Sequence, residues 1–214
     1  MTDRKLTPEL LLAAYASGVF PMAETRDDPN VYWVDPQIRG VIPLDRFHVS
    51  RSLARKLRRD NYQIKMNSDL SAVLDGCADR SETWINNTIR TLVQILFQRG
   101  FAHTMEVWSE DRLIGGVYGI ALGSAFFGES MFSREPDGSK IALTWLVDHL
   151  RRAEFKLFDT QFITPHLATL GAEEITRDQY RTRLAAALDS TARIDAFPLE
   201  SDRQAVVQRM TQTS

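Results

Sequence analysis

The stretch from Met105 to Phe132 decides the fold expected for this chain: it reads MEVWSEDRLIGGVYGIALGSAFFGESMF. Three runs rich in β-branched and aromatic residues are punctuated by Asp111-Arg112, Gly115-Gly116 and Gly123-Ser124. Two such short polar or glycine-containing breaks reverse a chain into hairpins, so the stretch predicts a three-stranded meander. The third strand is expected to end on Glu129.

The segments around the meander predict an α+β fold. Asp137-Gly138-Ser139 opens a helix through Arg152, and KLFDTQF (156–162) reads as a further strand. Meander, helix and strand in this order are typical of acetyltransferase-like folds, with a mixed sheet flanked by helices. We expect a small amino-terminal domain (1–60), a catalytic domain of that fold (61–190) and a weakly patterned tail (191–214). The segment 19–30 reads as a loop.

Composition bounds the class of protein. The chain has 214 residues, a formal net charge of −2 and a single cysteine, Cys77. One cysteine excludes an intramolecular disulfide framework and fits a reducing compartment. No apolar run approaches the roughly 20 residues needed to span a bilayer. We therefore expect a cytoplasmic protein without a membrane partner, and the histidine spacing predicts no metal site.

A basic helix is predicted from about Ser50 to Arg59. At helical spacing four arginines share one face, with Lys56 at its flank and leucines opposite. The four are Arg51, Arg55, Arg58 and Arg59. Such a stripe is either a solvated outer face or a binding surface for a polyanion, because unpaired like charges repel one another.

Three polar residues in apolar strands are candidates for chemistry. Asp159 and Gln161 alternate onto one face of the strand, where the carboxylate of Asp159 is expected to fix the Gln161 amide nitrogen. The alternative is a satisfied polar pair at a sheet end. Glu129, set among aromatic residues, is either paired or available to a cationic substrate. Trp33 and Trp84 are candidates for base stacking or are core residues.

The turn before the predicted helix bears on the acyl donor. Acyl-coenzyme A enzymes of this fold bind pyrophosphate with backbone N–H groups in a glycine-rich turn. Here the turn reads FSREPDGSK (132–140), with Glu135 and Asp137 and a single glycine. These acids argue against a coenzyme A-dependent N-acetyltransferase, which remains the alternative within this fold. A non-catalytic RNA-binding module is a second alternative.

The chain resembles the bacterial leucyl/phenylalanyl-tRNA–protein transferases. The matching segments are spread over most of the chain: AYASGVFPM (14–22), YWVDPQIRGVIPL (32–44), FHVSRSLARKL (47–57), ETWI (82–85), residues 103–134, SKIAL (139–143) and FDTQFITPHLATLGA (158–172). The resemblance implies transfer of Leu or Phe, and less readily Met, from aminoacyl-tRNA to proteins that begin with Arg or Lys. The products are then degraded under the N-end rule. It implies no cofactor, because the aminoacyl ester is already activated.

The resemblance also implies roles for particular residues. Asp159 and Gln161 match a proposed relay that draws a proton from the attacking amine, and Glu129 matches a carboxylate of the active pocket. Trp84, and with it Trp33, is expected to contact the terminal adenosine of tRNA. Met131 and Leu143 are expected near the pocket for the transferred side chain. The basic stripe, with Lys56, is expected to bind the tRNA backbone. Relatives often carry Trp where this chain has Met22, which leaves one side of the adenosine site to another group.

Overall fold

The computed structural model describes residues 6–28, 30–59, 61–80 and 83–212. Its helices are α1 (Pro8–Ala16), α2 (Arg51–Leu57), α3 (Leu70–Ala78), α4 (Asn87–Gln98), α5 (Gly138–Arg152), α6 (Pro165–Ala168), α7 (Arg177–Leu188) and α8 (Arg203–Thr211). Its strands are β1 (Phe20–Met22), β2 (Tyr32–Val34), β3 (Ile38–Val41), β4 (Gln63–Met66), β5 (Ala102–Ser109), β6 (Arg112–Leu122), β7 (Ala125–Ser133), β8 (Leu157–Gln161) and β9 (Glu173–Thr176).

A seven-stranded sheet in the order β4-β5-β6-β7-β8-β3-β9 forms the centre of the molecule. The pair β7–β8 is parallel and the other neighbours are antiparallel, so the sheet is mixed. The crossover between β7 and β8 is α5, as a parallel connection requires. β1 and β2 form a separate antiparallel pair. The predicted α+β class with a mixed sheet flanked by helices is confirmed.

Helices cover both faces of this sheet. One apolar cluster joins residues of α2, α5 and α8 to one face. The other joins residues of α1, α3, α4 and α7 to the opposite face. The sheet is therefore a buried middle layer, and its charged side chains need partners inside the protein.

The meander is confirmed as β5, β6 and β7, but Gly115-Gly116 does not interrupt it. β6 continues through both glycines, and α5 begins directly against Gly115. A Cβ on Gly115 would lie 2.5 Å from the backbone carbonyl carbon of Gly138. Gly115 therefore marks a close approach of helix to strand instead of a turn.

The prediction that the third strand ends on Glu129 is wrong, because β7 continues to Ser133. Tyr118 pairs with Ser130 and Gly119 pairs with Gly128, so Glu129 is the extra residue of a β-bulge. A bulge bends its strand and redirects one side chain. Glu129 is redirected in this way.

The structure also differs from the expectations at β1, β9 and α8 and in the place of β3. The segment 19–30, expected as a loop, contains β1, and β9 was not predicted. The weakly patterned tail contains α8, which buries Val206, Val207 and Met210 against α2 and α5. β3, from the first 60 residues, lies inside the central sheet. The division into 1–60, 61–190 and 191–214 stays a prediction about separately folding units, and residue 60 lies outside the described residues.

Candidate active site

An apolar cavity of about 240 Å³ opens beside the bulge of β7 and the end of β8. β1, the loop before α4 and the start of α5 complete its wall. Its lining includes Phe20, Met22, Trp84, Val117, Met131, Leu143, Phe158, Phe162 and Leu167. Among the described residues that line it, Glu129 is the single acid and Arg80 the single base. A cavity with mostly apolar walls and a few convergent polar groups is the usual form of a small-ligand site.

Glu129 is the half-buried acid of this cavity. The pKa of its carboxyl is raised to about 8, mainly by burial. A hydrogen bond with the Tyr15 hydroxyl lowers this pKa, the charge of Asp159 raises it, and the charge of Arg39 lowers it. A carboxyl with this pKa changes its charge near neutral pH. It is therefore suited to exchange a proton with an amine.

Gln161 ends β8 and places its side chain in the cavity. Its φ is 58°, in the left-handed region that is uncommon for residues other than glycine. Its side-chain Nε2 donates to Oε1 of Glu129 over 3.2 Å. The cavity thus contains a coupled amide and carboxyl, from β8 and from the bulge of β7.

Asp159 lies beneath the cavity and is fully buried. Its Oδ1 accepts from Nε of Arg39 and from the backbone N–H of Gln161, each at 2.9 Å. Its Oδ2 accepts from Nη2 of Arg39 at 2.6 Å and from the Tyr180 hydroxyl at 2.9 Å. The expected contact between this carboxylate and the Gln161 side chain is wrong. Asp159 holds the Gln161 backbone, and Glu129 accepts from the Gln161 side chain.

Arg39 and Tyr180 were missed by the sequence analysis. Arg39 comes from β3 and Tyr180 from α7, so their sequence distance from Asp159 hides the cluster. One signal was present: an arginine inside the otherwise apolar run IRGVI (38–42). A charged residue in a buried strand requires a buried partner, which the sequence does not identify by spacing.

The predicted substrate-binding residues separate into two groups. Trp84, Met131 and Leu143 line the cavity, as does Met22. Trp33 does not line it: β2 carries this residue opposite Pro21, with 40% of its surface exposed. Phe162, which is 46% exposed, is an aromatic residue at the cavity that the sequence did not single out.

The basic stripe lies on α2 and its carboxyl end. Leu53, Ala54 and Leu57 are buried, and the four arginines of the opposite face, Arg51, Arg55, Arg58 and Arg59, are exposed. None of these four forms an ion pair with another described residue, whereas Lys56 pairs with Asp137 and donates to the Pro136 carbonyl over 3.3 Å. Lys56 therefore connects α2 to the start of α5.

The start of α5 is acidic, as its sequence indicated. Asp137 takes the N-cap position in a left-handed conformation and lies between Lys56 and Lys140. Glu135 pairs with Arg112. Both carboxylates beside the start of α5 are thus paired with cationic side chains.

Two further observations concern metals and membranes. Among the described residues no group of three His, Cys, Asp or Glu side chains could hold a metal ion. Cys77 is buried, and burial raises the pKa of its thiol to about 12, so it is a packing residue. Within the same residues, no helix is both long and apolar enough to cross a bilayer.

Comparison with known proteins identifies the family. Residues 4–37 match the family described as Leucyl/phenylalanyl-tRNA protein transferase N-terminal domain, and residues 41–185 match Leucyl/phenylalanyl-tRNA protein transferase. The chain is 60% identical to the leucyl/phenylalanyl-tRNA–protein transferase of Ruegeria sp. (strain TM1040), over 98% of this chain and 99% of that one. It is 56% identical to that of Cereibacter sphaeroides (strain KD131 / KCTC 12085), over the full length of both.

Solved structures give weaker likenesses. The L-PGS of Bacillus licheniformis matches with 14% identity and a TM-score of 0.43, over 94% of this chain and 76% of that one. A C-terminal domain of a lysylphosphatidylglycerol synthetase from Agrobacterium fabrum matches with a TM-score of 0.40 and 14% identity, over 77% and 55%. The sequence matches, by contrast, cover nearly the whole chain at high identity, and they show that it belongs to the leucyl/phenylalanyl-tRNA–protein transferase family.

Proposed function

We propose that this protein transfers Leu or Phe, and less readily Met, from aminoacyl-tRNA to the α-amine of proteins that begin with Arg or Lys. The products would be marked for degradation under the N-end rule. The observation that carries the proposal is the apolar cavity with the hydrogen-bonded pair Glu129 and Gln161 at its wall. One end of such a site suits an apolar side chain that is unbranched at Cβ, as in Leu and Phe, and the other end suits an amine.

The aminoacyl end of the site is the apolar part. Met131 and Leu143 are proposed to contact the transferred side chain, and Trp84 the terminal adenosine by stacking. Trp33 lies outside the cavity, so Met22 or the exposed ring of Phe162 is proposed to contact the adenosine in its place. The cavity opens where β7 and β8 lie side by side. The acetyltransferase-like fold expected for the sheet is consistent with binding of an acyl group there.

The acceptor end is Glu129. The α-amine attacks the ester carbonyl, a C–N bond forms, the C–O bond to the ribose breaks, the amine loses a proton, and the released ribose oxygen gains one to become a hydroxyl. Glu129 is proposed to receive that proton or to hold the cationic side chain of the acceptor. Gln161 is proposed to orient the amine, with Asp159 beneath it. Much of the acceleration can come from positioning, which is worth roughly 7–11 kcal/mol in well-oriented reactions.

The exposed arginines of α2 are proposed to bind the tRNA backbone. Arg51, Arg55, Arg58 and Arg59 share one face and lack described ion-pair partners, which suits a run of phosphates. Lys56 would contribute less, because Asp137 already neutralises it.

Transfer of radiolabelled Leu from purified Leu-tRNA tests the function. Three peptides would be compared, identical except for an amino-terminal Arg, Lys or Ala. Labelled Arg and Lys peptides with an unlabelled Ala peptide are expected. Labelling of none of them by folded protein would overturn the proposal, and acetylation of a peptide from acetyl-coenzyme A would favour the alternative acetyltransferase.

A further inference from the structure

Arg39 is a cation enclosed inside the protein. Its side chain is 1% exposed, and its guanidinium carbon lies 4.6 Å from the ring centre of Phe20 and 4.4 Å from that of Tyr180. Its Nη1 donates to the Gly18 carbonyl over 3.0 Å. The guanidinium is thus fixed in plane and in rotation by groups from three other segments of the chain, which contain Gly18 and Phe20, Asp159, and Tyr180.

The partner of this cation is Asp159, joined to it by two parallel hydrogen bonds from Nε and Nη2. Desolvation makes a buried ion pair poor evidence for a contribution to stability. Its fork geometry, in contrast, defines the position of a carboxylate, which a lysine ammonium on a flexible chain cannot do. The pair is therefore a device for placing Asp159.

The carboxylate of Asp159 has no acceptor position left for a substrate. An ionised carboxylate offers about four lone-pair positions. Arg39 uses two, and the Tyr180 hydroxyl and the Gln161 backbone N–H use one each. Apart from the effect of its charge on Glu129, any effect of Asp159 on the cavity must therefore pass through its hydrogen bond to the Gln161 backbone.

That backbone needs a support. A non-glycine residue held in the left-handed region is strained and persists only where its surroundings determine it. The N–H of Gln161 is tied to Asp159 at 2.9 Å, and in this conformation its side-chain nitrogen lies 3.2 Å from Oε1 of Glu129. Neither Arg39 nor Asp159 is among the residues lining the cavity.

We propose that Arg39 is a positioning residue for aminoacyl transfer: through Asp159 it fixes the backbone of Gln161 so that the Gln161 amide meets Glu129 in the cavity. The inference rests on the transferase function proposed above. It replaces an Asp–Gln proton relay with a static support, in which Asp159 holds the Gln161 backbone in place.

A double-mutant cycle between Arg39→Lys and Gln161→Ala tests this, with kcat and KM measured for Leu-tRNA and for the Arg peptide. Arg39→Lys keeps the charge and loses the fork. We expect kcat to fall by about 10–100-fold with KM for Leu-tRNA little changed, since a misplacement of about 1 Å can cost 10²-fold. In the Gln161→Ala background the same substitution should change kcat by less than about threefold, because its route is already removed.

Arg209→Lys is the matched control. Arg209 on α8 binds Asp148 on α5 through the same two atoms, Nε at 2.7 Å and Nη2 at 2.8 Å. Neither residue lines the cavity. This substitution should leave kcat unchanged, and it measures what the loss of a fork costs the fold alone.

Several results would overturn the inference. The first is a double variant in which the two fold-changes in kcat multiply, as they do for independent substitutions. The others are an unchanged kcat in folded Arg39→Lys, a rise in KM for Leu-tRNA as the main effect, or a Gln161→Ala variant whose activity equals that of the wild type. Should Arg39→Lys not fold, Tyr180→Phe replaces it in the cycle, because it removes one donor to Asp159 and keeps the ring; the same rules then decide. Failure of the proposed function itself is seen earlier, as wild-type protein that labels no peptide.

Discussion

The charge of Glu129 in the cavity is expected to depend on pH in the neutral range. Its pKa of about 8, raised mainly by burial, lies close to the ordinary value of a terminal α-amine, roughly 7.7–8.0. A carboxyl with a raised pKa is protonated below that value and ionised above it. The enzyme and its acceptor therefore reach their reactive forms, carboxylate and neutral amine, over the same range of pH.

The pH dependence of single-turnover transfer tests this match. We expect the rate to rise from pH 6 and level off above about 8, the pKa of Glu129. Below that pH the logarithm of the wild-type rate should rise with a slope near two, because two groups must lose a proton, and Glu129→Gln should lower the slope to near one. Equal slopes in the two proteins would contradict a titrating role for Glu129.

Arg39, Asp159 and Gln161 show what residue-level sequence reading misses. The strand LFDTQ placed Asp159 and Gln161 together, and Glu129, Gln161, Trp84, Met131 and Leu143 do share a cavity. The partner of Asp159 lies 120 positions away on another strand. No local period reports such a contact, so the sequence suggested the Gln161 side chain as the partner.

At the scale of elements, β6 and α5 meet through glycine. Gly115 and Gly138 leave no room for a Cβ at their contact, and the close approach sets the start of α5. Long, patterned elements such as β5, β6, β7 and α5 were predicted from their sequence patterns. β1 and β9 span three and four residues, too short for a period to be recognised.

Gly115→Ala should therefore destabilise the protein. Its new Cβ would lie 2.5 Å from the Gly138 carbonyl carbon, between two backbones that cannot both yield. We expect a loss of about 1–3 kcal/mol in the free energy of unfolding, measured by urea denaturation. Gly116→Ala is the control, because its Cβ would meet the Phe132 ring at 3.1 Å, and a smaller loss is expected. Equal losses would argue against the close approach at Gly115.

α2 is the element for which an electrostatic prediction is sharpest. Arg55→Glu should weaken tRNA binding and lower the slope of log affinity against log salt by about 1, the value for one phosphate contact. Lys156→Glu makes the same charge change at an exposed residue just before β8, and should have a smaller effect. The measurement is a salt titration of tRNA binding for both variants. Equal slopes for Arg55→Glu and the wild type would identify the stripe as a solvated face.

On the scale of the whole molecule, the fold brings distant segments to one cavity. The wall takes β1 from the start of the chain, the bulge of β7 from the middle and the end of β8 from the later part. The α+β class and the family follow from the sequence, because both rest on patterns spread over most of the chain. The order of strands does not, since the insertion of β3 between β8 and β9 depends on contacts remote in sequence.

The central claim is that this cavity receives the aminoacyl group and the acceptor amine together. A crystal structure with a stable amide analogue of 3′-leucyl-adenosine and an Arg peptide tests it most directly. We expect the leucyl side chain against Met131 and Leu143, the adenine beside Trp84, and the peptide α-amine within hydrogen-bond distance of Glu129 or Gln161. An analogue bound outside the cavity, or an amine remote from both side chains, would contradict the account.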